Sequence, residues 1–68
     1  MKMIESKKIG ETIKSIRKRK GWSQEKLADV SGYSVRNIRR IENDGTDSIQ
    51  VVNLFAEIFD ISAIDILK

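Results

Sequence analysis

Residues 32–43, with the sequence GYSVRNIRRIEN, concentrate the side chains most suited to binding a ligand. In a helix, at about 100° per residue, Ile38 and Ile41 fall on one side of this segment, opposite a polar arc of about 100°. The arc holds Arg36, Arg39, Arg40 and Asn43. Faces that are merely solvated usually mix acids with bases, whereas this face holds only cations and an amide. Its composition therefore favours a face that binds a polyanion.

The chemistry available to such a face is that of DNA recognition. An arginine guanidinium donates two parallel hydrogen bonds to O6 and N7 of guanine or to a phosphate, and asparagine pairs similarly with adenine. One α-helix fits into the major groove of B-DNA. We therefore expect residues 35–43 to form a recognition helix.

Charge is distributed unevenly along the 68-residue chain, whose net charge is +3. Residues 1–20 hold eight Lys/Arg against two acidic residues, residues 21–43 hold four against three, and residues 44–68 hold one against five. The first part can attract a polyanion while the last keeps the molecule soluble. Nucleic acid is the expected partner, although basic amphipathic helices also bind membranes and acidic proteins.

Five helices are predicted to position the arginine face. Ile9, Ile13 and Ile16 recur at helical spacing and predict a first helix over about 6–20, which Gly21 ends in a left-handed conformation. Three further starts share a large apolar residue followed by a capping serine, with a second apolar residue five positions after the first. They are Trp22-Ser23, Tyr33-Ser34 and Ile61-Ser62.

These starts predict helices over about 24–31, 35–43 and 63–67, and a capping arrangement of Asp47 with Gln50 predicts another over about 48–59. Gly32 lies in the short turn between the second and third helices, so these helices must cross steeply. Ala28 is small enough to let them approach closely. The sequence therefore predicts a compact, all-α, five-helix domain over 1–68 with a helix-turn-helix at about 24–43.

Composition disfavours several other functions. The chain has no Cys and no His, the ligands that usually hold structural zinc, and its carboxylates are scattered over helix ends rather than paired for acid–base catalysis. We expect no enzymatic activity and no metal or other cofactor. No signal-peptide pattern and no apolar run of 18 residues occurs, which predicts a cytoplasmic protein that does not enter the membrane.

The segment WSQEKLADVSGYSVRNIRRIEN resembles the helix-turn-helix of the phage repressor and Cro class, the XRE family of bacterial regulators. The shared residues are Ser23-Gln24, Leu27-Ala28, Gly32, Ser34, Ile38, Ile41 and Glu42-Asn43. The resemblance extends over about residues 9–67. It implies a nucleoid-associated bacterial or phage protein that regulates transcription, binding double-stranded DNA at a palindromic operator as a homodimer.

The resemblance also implies roles for individual residues. Gln24 would contact a phosphate at the start of the second helix, assisted by the helix dipole. The residues expected to face the bases are Ser34, Val35, Arg36 and Arg40. The residues expected beside phosphates are Asn37, Arg39 and Asn43. Helix capping would also explain Gln24 and Ser34, and packing would explain Val35, whose side chain could equally touch a thymine methyl group.

Two charged positions are expected to be structural instead. Arg17 and Glu42 lie at the edges of the apolar stripes of the first and third helices, and similar proteins have a buried ion pair at these positions. The chain departs from the family at residues 44–47, DGTD, where a basic loop ending in proline is common. We expect weaker phosphate binding, or a greater dependence on the third helix and on dimerisation.

A protein-interaction module or antitoxin of the same fold is the alternative. Apolar residues cover more than half of the fourth helix, which fits either a central helix packed on several sides or a helix that also binds a protein. A protein that binds at the fourth or fifth helix is therefore a possible partner in addition to DNA.

Overall fold

Residues 6–67 are described by the structure, a computed structural model, and they form five α-helices. The helices are α1 (Ser6–Arg19), α2 (Gln24–Ser31), α3 (Val35–Asp44), α4 (Ile49–Phe59) and α5 (Ala63–Leu67). No strand occurs among these residues, and the predicted all-α, five-helix architecture is confirmed. Residues 1–5 and 68, which the predicted domain includes, lie outside the described residues.

Serine hydroxyls cap α2 and α3 as predicted. Ser23 Oγ accepts a hydrogen bond from the backbone N–H of Lys26 at 3.0 Å, and Ser34 Oγ accepts one from that of Asn37 at 3.0 Å. Each bond satisfies an amide that has no partner inside its own helix. The two helices therefore begin where the sequence placed them.

The start of α4 differs from the prediction. Ser48, rather than Asp47, is the capping residue, and its Oγ accepts from the backbone N–H of Val51 at 3.3 Å. The reason lies in the preceding loop, where Thr46 Oγ1 accepts from the N–H of Ser48 at 3.1 Å and the N–H of Thr46 donates to the carbonyl of Ser6 at 3.2 Å. These bonds fix the loop so that the helix begins one residue later.

The turn between α2 and α3 depends on Gly32, whose φ of 80° is in the left-handed region. Its N–H donates to the carbonyl of Ala28 at 3.0 Å and ends α2. Ala28 is buried, and α3 packs against α2. A left-handed glycine thus forms the short turn, and a small buried residue lies where α2 packs against α3.

The hydrophobic core lies between the helices: α1 packs on α3, α4 and α5, and α2 packs on α3 and α4. Its buried members are Ile9, Ile13, Ile16, Leu27, Ala28, Ile38, Ile41, Val52, Phe55, Ala56, Phe59 and Ile66. Three aromatic pairs lie in or against this core, each with ring centroids 6.0 Å apart. Phe55 and Phe59 are stacked, Tyr33 contacts Phe55 edge-on, and the Trp22 ring is tilted against Phe59. Helix α4 packs on α1, α2 and α5, which explains most of its apolar residues as core.

A close approach of α1 to α3 positions the arginine face relative to the rest of the domain. A Cβ atom on Gly10 would lie 2.3 Å from the carbonyl oxygen of Ile41, so only glycine allows this spacing. Gly10 was not singled out from the sequence, because nothing in the local pattern shows which backbone it faces. No described helix is long and apolar enough to span a bilayer.

Candidate nucleic-acid interface

The solvent-facing side of α3 holds the four polar side chains predicted from its helical periodicity. Ile38, Ile41 and Glu42 are buried, and the opposite side is exposed. The exposed side chains on this side are Arg36, Arg39, Arg40 and Asn43, and Asp44, the last residue of the helix, is exposed as well. The structure therefore brings three guanidinium groups and one amide onto a single surface, next to the turn that precedes α3.

Two of these arginines are not engaged by other described side chains. Arg36 and Arg39 form no side-chain hydrogen bond or salt bridge with any residue in 6–67. Arg40 differs, because its Nη2 donates to Oδ1 of Asn37 at 2.9 Å, one turn earlier on the helix. This bond uses one of the five guanidinium donors of Arg40, and the others can still make a bidentate contact.

The first turn of α3 combines capping with packing. Ser34 is exposed and uses one lone pair of its Oγ as the helix cap, so the hydroxyl can also reach a ligand. Val35 is half-buried and packs against the core, which leaves only part of its side chain accessible. Asn37 is half-buried, and its Nδ2 donors are not used by Arg40.

The ion pair expected between α1 and α3 is present. Arg17 Nε donates to Glu42 Oε2 at 2.6 Å and Nη2 donates to Oε1 at 3.2 Å, which is a bidentate contact. The two residues are 7% and 3% exposed, so both charges are withdrawn from water. The pair joins the side of α3 that faces the core to α1.

Two further bonds join this pair to the start of α2, and sequence reasoning missed both. Arg17 Nη1 donates to the carbonyl of Trp22 at 2.7 Å, and Nε2 of Gln24 donates to Glu42 Oε1 at 3.0 Å. Gln24 and Glu42 are 18 residues apart in the sequence, and no local pattern relates them. Gln24, predicted as a phosphate contact, thus uses one Nε2 proton in the bond to Glu42, and its second Nε2 proton can still donate to a ligand.

Basic side chains also gather around Trp22, immediately before α2. The Nζ atoms of Lys20 and Lys26 lie 5.7 and 5.8 Å from the centroid of its ring, within the range of cation–π interaction. Both lysines are exposed. They add positive charge near the first amides of α2, where the helix dipole already favours an anion.

The last residue of α3 and the loop that follows it have the opposite charge. Asp44 and Asp47 are exposed, and the N–H of Gly45 between them donates to the carbonyl of Ile41 at 2.8 Å. The acidic residues noted in the sequence therefore lie at the C-terminal end of α3, away from its first turn. Among residues 6–67, no cluster of three or more acidic side chains could hold a metal ion.

Comparison with known proteins gives matches of three kinds. A helix-turn-helix family model matches residues 13–66. The competence pilus inhibition repressor of Acinetobacter baylyi (strain ATCC 33305 / BD413 / ADP1) is 49% identical over 35 residues, which are 52% of this chain and 32% of that protein. The crystal structure of the restriction-modification controller protein C.AhdI from Aeromonas hydrophila aligns with a TM-score of 0.78 and 28% identity, covering 88% of this chain and 92% of that one. The match to the repressor thus spans about a third of its length.

Proposed function

Because the chain belongs to the helix-turn-helix family, whose model matches residues 13–66, we propose that it is a transcriptional regulator that binds a specific double-stranded DNA site. The observation that carries this proposal is the exposed face of α3. Three arginines and an asparagine lie on it, and the opposite face of the helix is buried in the domain. In this proposal α3 lies in the major groove, and the protein acts in the bacterial cytoplasm on chromosomal or phage DNA.

The side chains divide by their place on α3 and α2. Those assigned to the bases are Ser34, Arg36 and Arg40, with Val35 able to add only a partial contact to a thymine methyl group. Those assigned to phosphates are Gln24, Asn37, Arg39 and Asn43. Arg36 lies in the first turn of α3 and Arg40 one turn further along the same face, so both reach toward the groove floor.

The test compares three arginine variants after bound sites have been selected from randomised duplex. Arg36→Ala and Arg40→Ala should each cost about 1–3 kcal/mol on the selected site and much less on scrambled duplex, which compresses the specificity ratio. Arg39→Ala is the matched control, since loss of a phosphate contact weakens binding to both duplexes about equally. The assignment fails if Arg39→Ala compresses the ratio while the other two variants leave it unchanged.

We propose further that the protein acts as a homodimer on a palindromic site. Ile49, Ile64 and Leu67 are 48%, 60% and 38% exposed, and they supply apolar surface on α4 and α5 that a second copy would cover. Sedimentation equilibrium across a range of concentrations tests the assembly. A mass equal to one chain without duplex, and to one chain plus one duplex when operator duplex is added, would exclude the dimer.

The same apolar side chains support a second candidate function, in which the main partner is another protein, as in an antitoxin. A mobility shift with random duplex at low salt separates the two candidates, because the arginine face should bind any duplex weakly through its phosphates. Absence of any shift would favour the protein partner over DNA.

A further inference from the structure

The buried carboxylate of Glu42 links the core ion pair to a side chain on the proposed DNA-binding surface. Its Oε1 accepts hydrogen bonds from Arg17 Nη2 at 3.2 Å and from Gln24 Nε2 at 3.0 Å. The Glu42 side chain is 0% exposed, whereas Gln24 is half-buried at the first position of α2. Gln24 therefore lies at the boundary between the buried network and solvent.

The chemistry of the pair fixes the orientation of the Gln24 amide. A carboxylate bonded to a guanidinium accepts hydrogen bonds and donates none, so only the Nε2 end of the amide can face Glu42. One Nε2 proton is then occupied by Oε1, and the other proton stays on the side of the amide that Glu42 does not cover. Without Glu42 the amide could rotate and present its oxygen, which a phosphate would repel.

We propose that Glu42 is a positioning residue for DNA binding: its carboxylate holds the Gln24 amide so that the second Nε2 proton donates to a DNA phosphate. This inference rests on the proposed function. Arg17 supports the same arrangement, because its Nη1 bond to the carbonyl of Trp22 fixes the backbone two residues before Gln24. The Gln24 side chain is thereby ordered when the protein folds, so DNA binding does not bear the entropy cost of ordering it. For one side chain, avoiding this cost raises the affinity about 2- to 12-fold.

A double-mutant cycle with Gln24→Met and Glu42→Asp tests the coupling. Gln24→Met keeps the length of the side chain but removes its donors. Glu42→Asp keeps the charge that pairs with Arg17 and withdraws the carboxylate from Gln24 by one methylene group. Each single variant should weaken binding to the selected duplex about 2- to 10-fold, and the double variant should bind no more weakly than Gln24→Met alone. Gln50→Met, at an exposed position on α4, is the control and should bind like wild type.

Side-chain amide exchange in the unbound wild-type protein provides a second measurement that needs no variant to fold. The chain has two glutamines, Gln24 and Gln50, whose side-chain amides in a ¹⁵N,¹³C-labelled sample are told apart from those of the three asparagines by their bonded carbons. One Nε2 proton of Gln24 should exchange with water more slowly than its geminal partner and more slowly than either proton of Gln50. Equal exchange of all four protons would overturn the positioning role.

The outcomes separate the inference from the function on which it rests. If wild type binds duplex but the effects of Gln24→Met and Glu42→Asp multiply in the double variant, the positioning role is wrong and the proposed function stands. If wild type binds no duplex even at low salt, the proposed function and the positioning role both fail. The inference is supported if the double variant binds duplex no more weakly than Gln24→Met alone and one Nε2 proton of Gln24 exchanges slowly.

Discussion

Replacing Glu42 by alanine should remove a large part of the stability of this domain. The substitution deletes the acceptor of Arg17 Nε, Arg17 Nη2 and Gln24 Nε2, and it leaves Arg17, a residue that is 7% exposed in the wild-type fold, without its counter-ion. Breaking a buried pair in this way costs about 3–5 kcal/mol. A small domain of this length is stable by only about 3–10 kcal/mol, so the loss is comparable with the whole free energy of unfolding.

Urea denaturation followed by fluorescence measures this loss directly, because Trp22 is the one tryptophan in the chain and packs against Phe59 in the core. Circular dichroism of the helices serves as the independent probe of the same transition. Glu57→Ala is the matched control, since Glu57 is exposed on α4, and its free energy of unfolding should stay within about 0.5 kcal/mol of wild type.

A second variant tests whether the cost comes from the orphaned charge. In Arg17→Met with Glu42→Leu, both charges are replaced by apolar groups of similar volume, and such exchanges are often neutral or stabilising. We expect this double variant to be clearly more stable than Glu42→Ala. The reasoning is refuted if Glu42→Ala unfolds at the same urea concentration as Glu57→Ala, or if the double variant is as unstable as the single one.

Binding to duplex should weaken steeply as the salt concentration rises, because Arg39 and the basic side chains of α1 are proposed to displace counterions from phosphates. These contacts would be contradicted by a flat plot of the logarithm of the binding constant against the logarithm of the salt concentration. Gly10→Ala should lower the urea midpoint, because the new Cβ would lie 2.3 Å from the carbonyl oxygen of Ile41. In an exposed helix interior the same substitution would instead stabilise the helix by about 1 kcal/mol. Ser15→Ala, at an exposed position of the same helix, is the control, and a midpoint for Gly10→Ala at or above wild type would show that α1 and α3 can separate without cost.

Much of the fold could be predicted from the sequence because its signals are local. A capping serine bonds an amide three residues ahead of it, so Ser23 and Ser34 mark the starts of α2 and α3 without knowledge of the rest of the chain. The periodicity of Ile38 and Ile41 likewise determines which side of α3 is buried, and the exposed arginines follow from it. The predicted Asp47 cap was wrong: Ser48 caps α4 and the helix begins at Ile49, because hydrogen bonds within the loop and from the loop to α1 intervene there.

The sequence by itself therefore determined the five helices, the buried sides of α1 and α3 and the cationic face of α3. The tertiary structure alone decided which groups meet across helices. Periodicity gives the direction of a side chain relative to its own helix axis, whereas a contact also needs the distance and crossing angle of a second helix. For that reason the bond from Gln24 to Glu42 and the approach of Gly10 to Ile41, which join residues far apart in the chain, became visible only once the helices were packed.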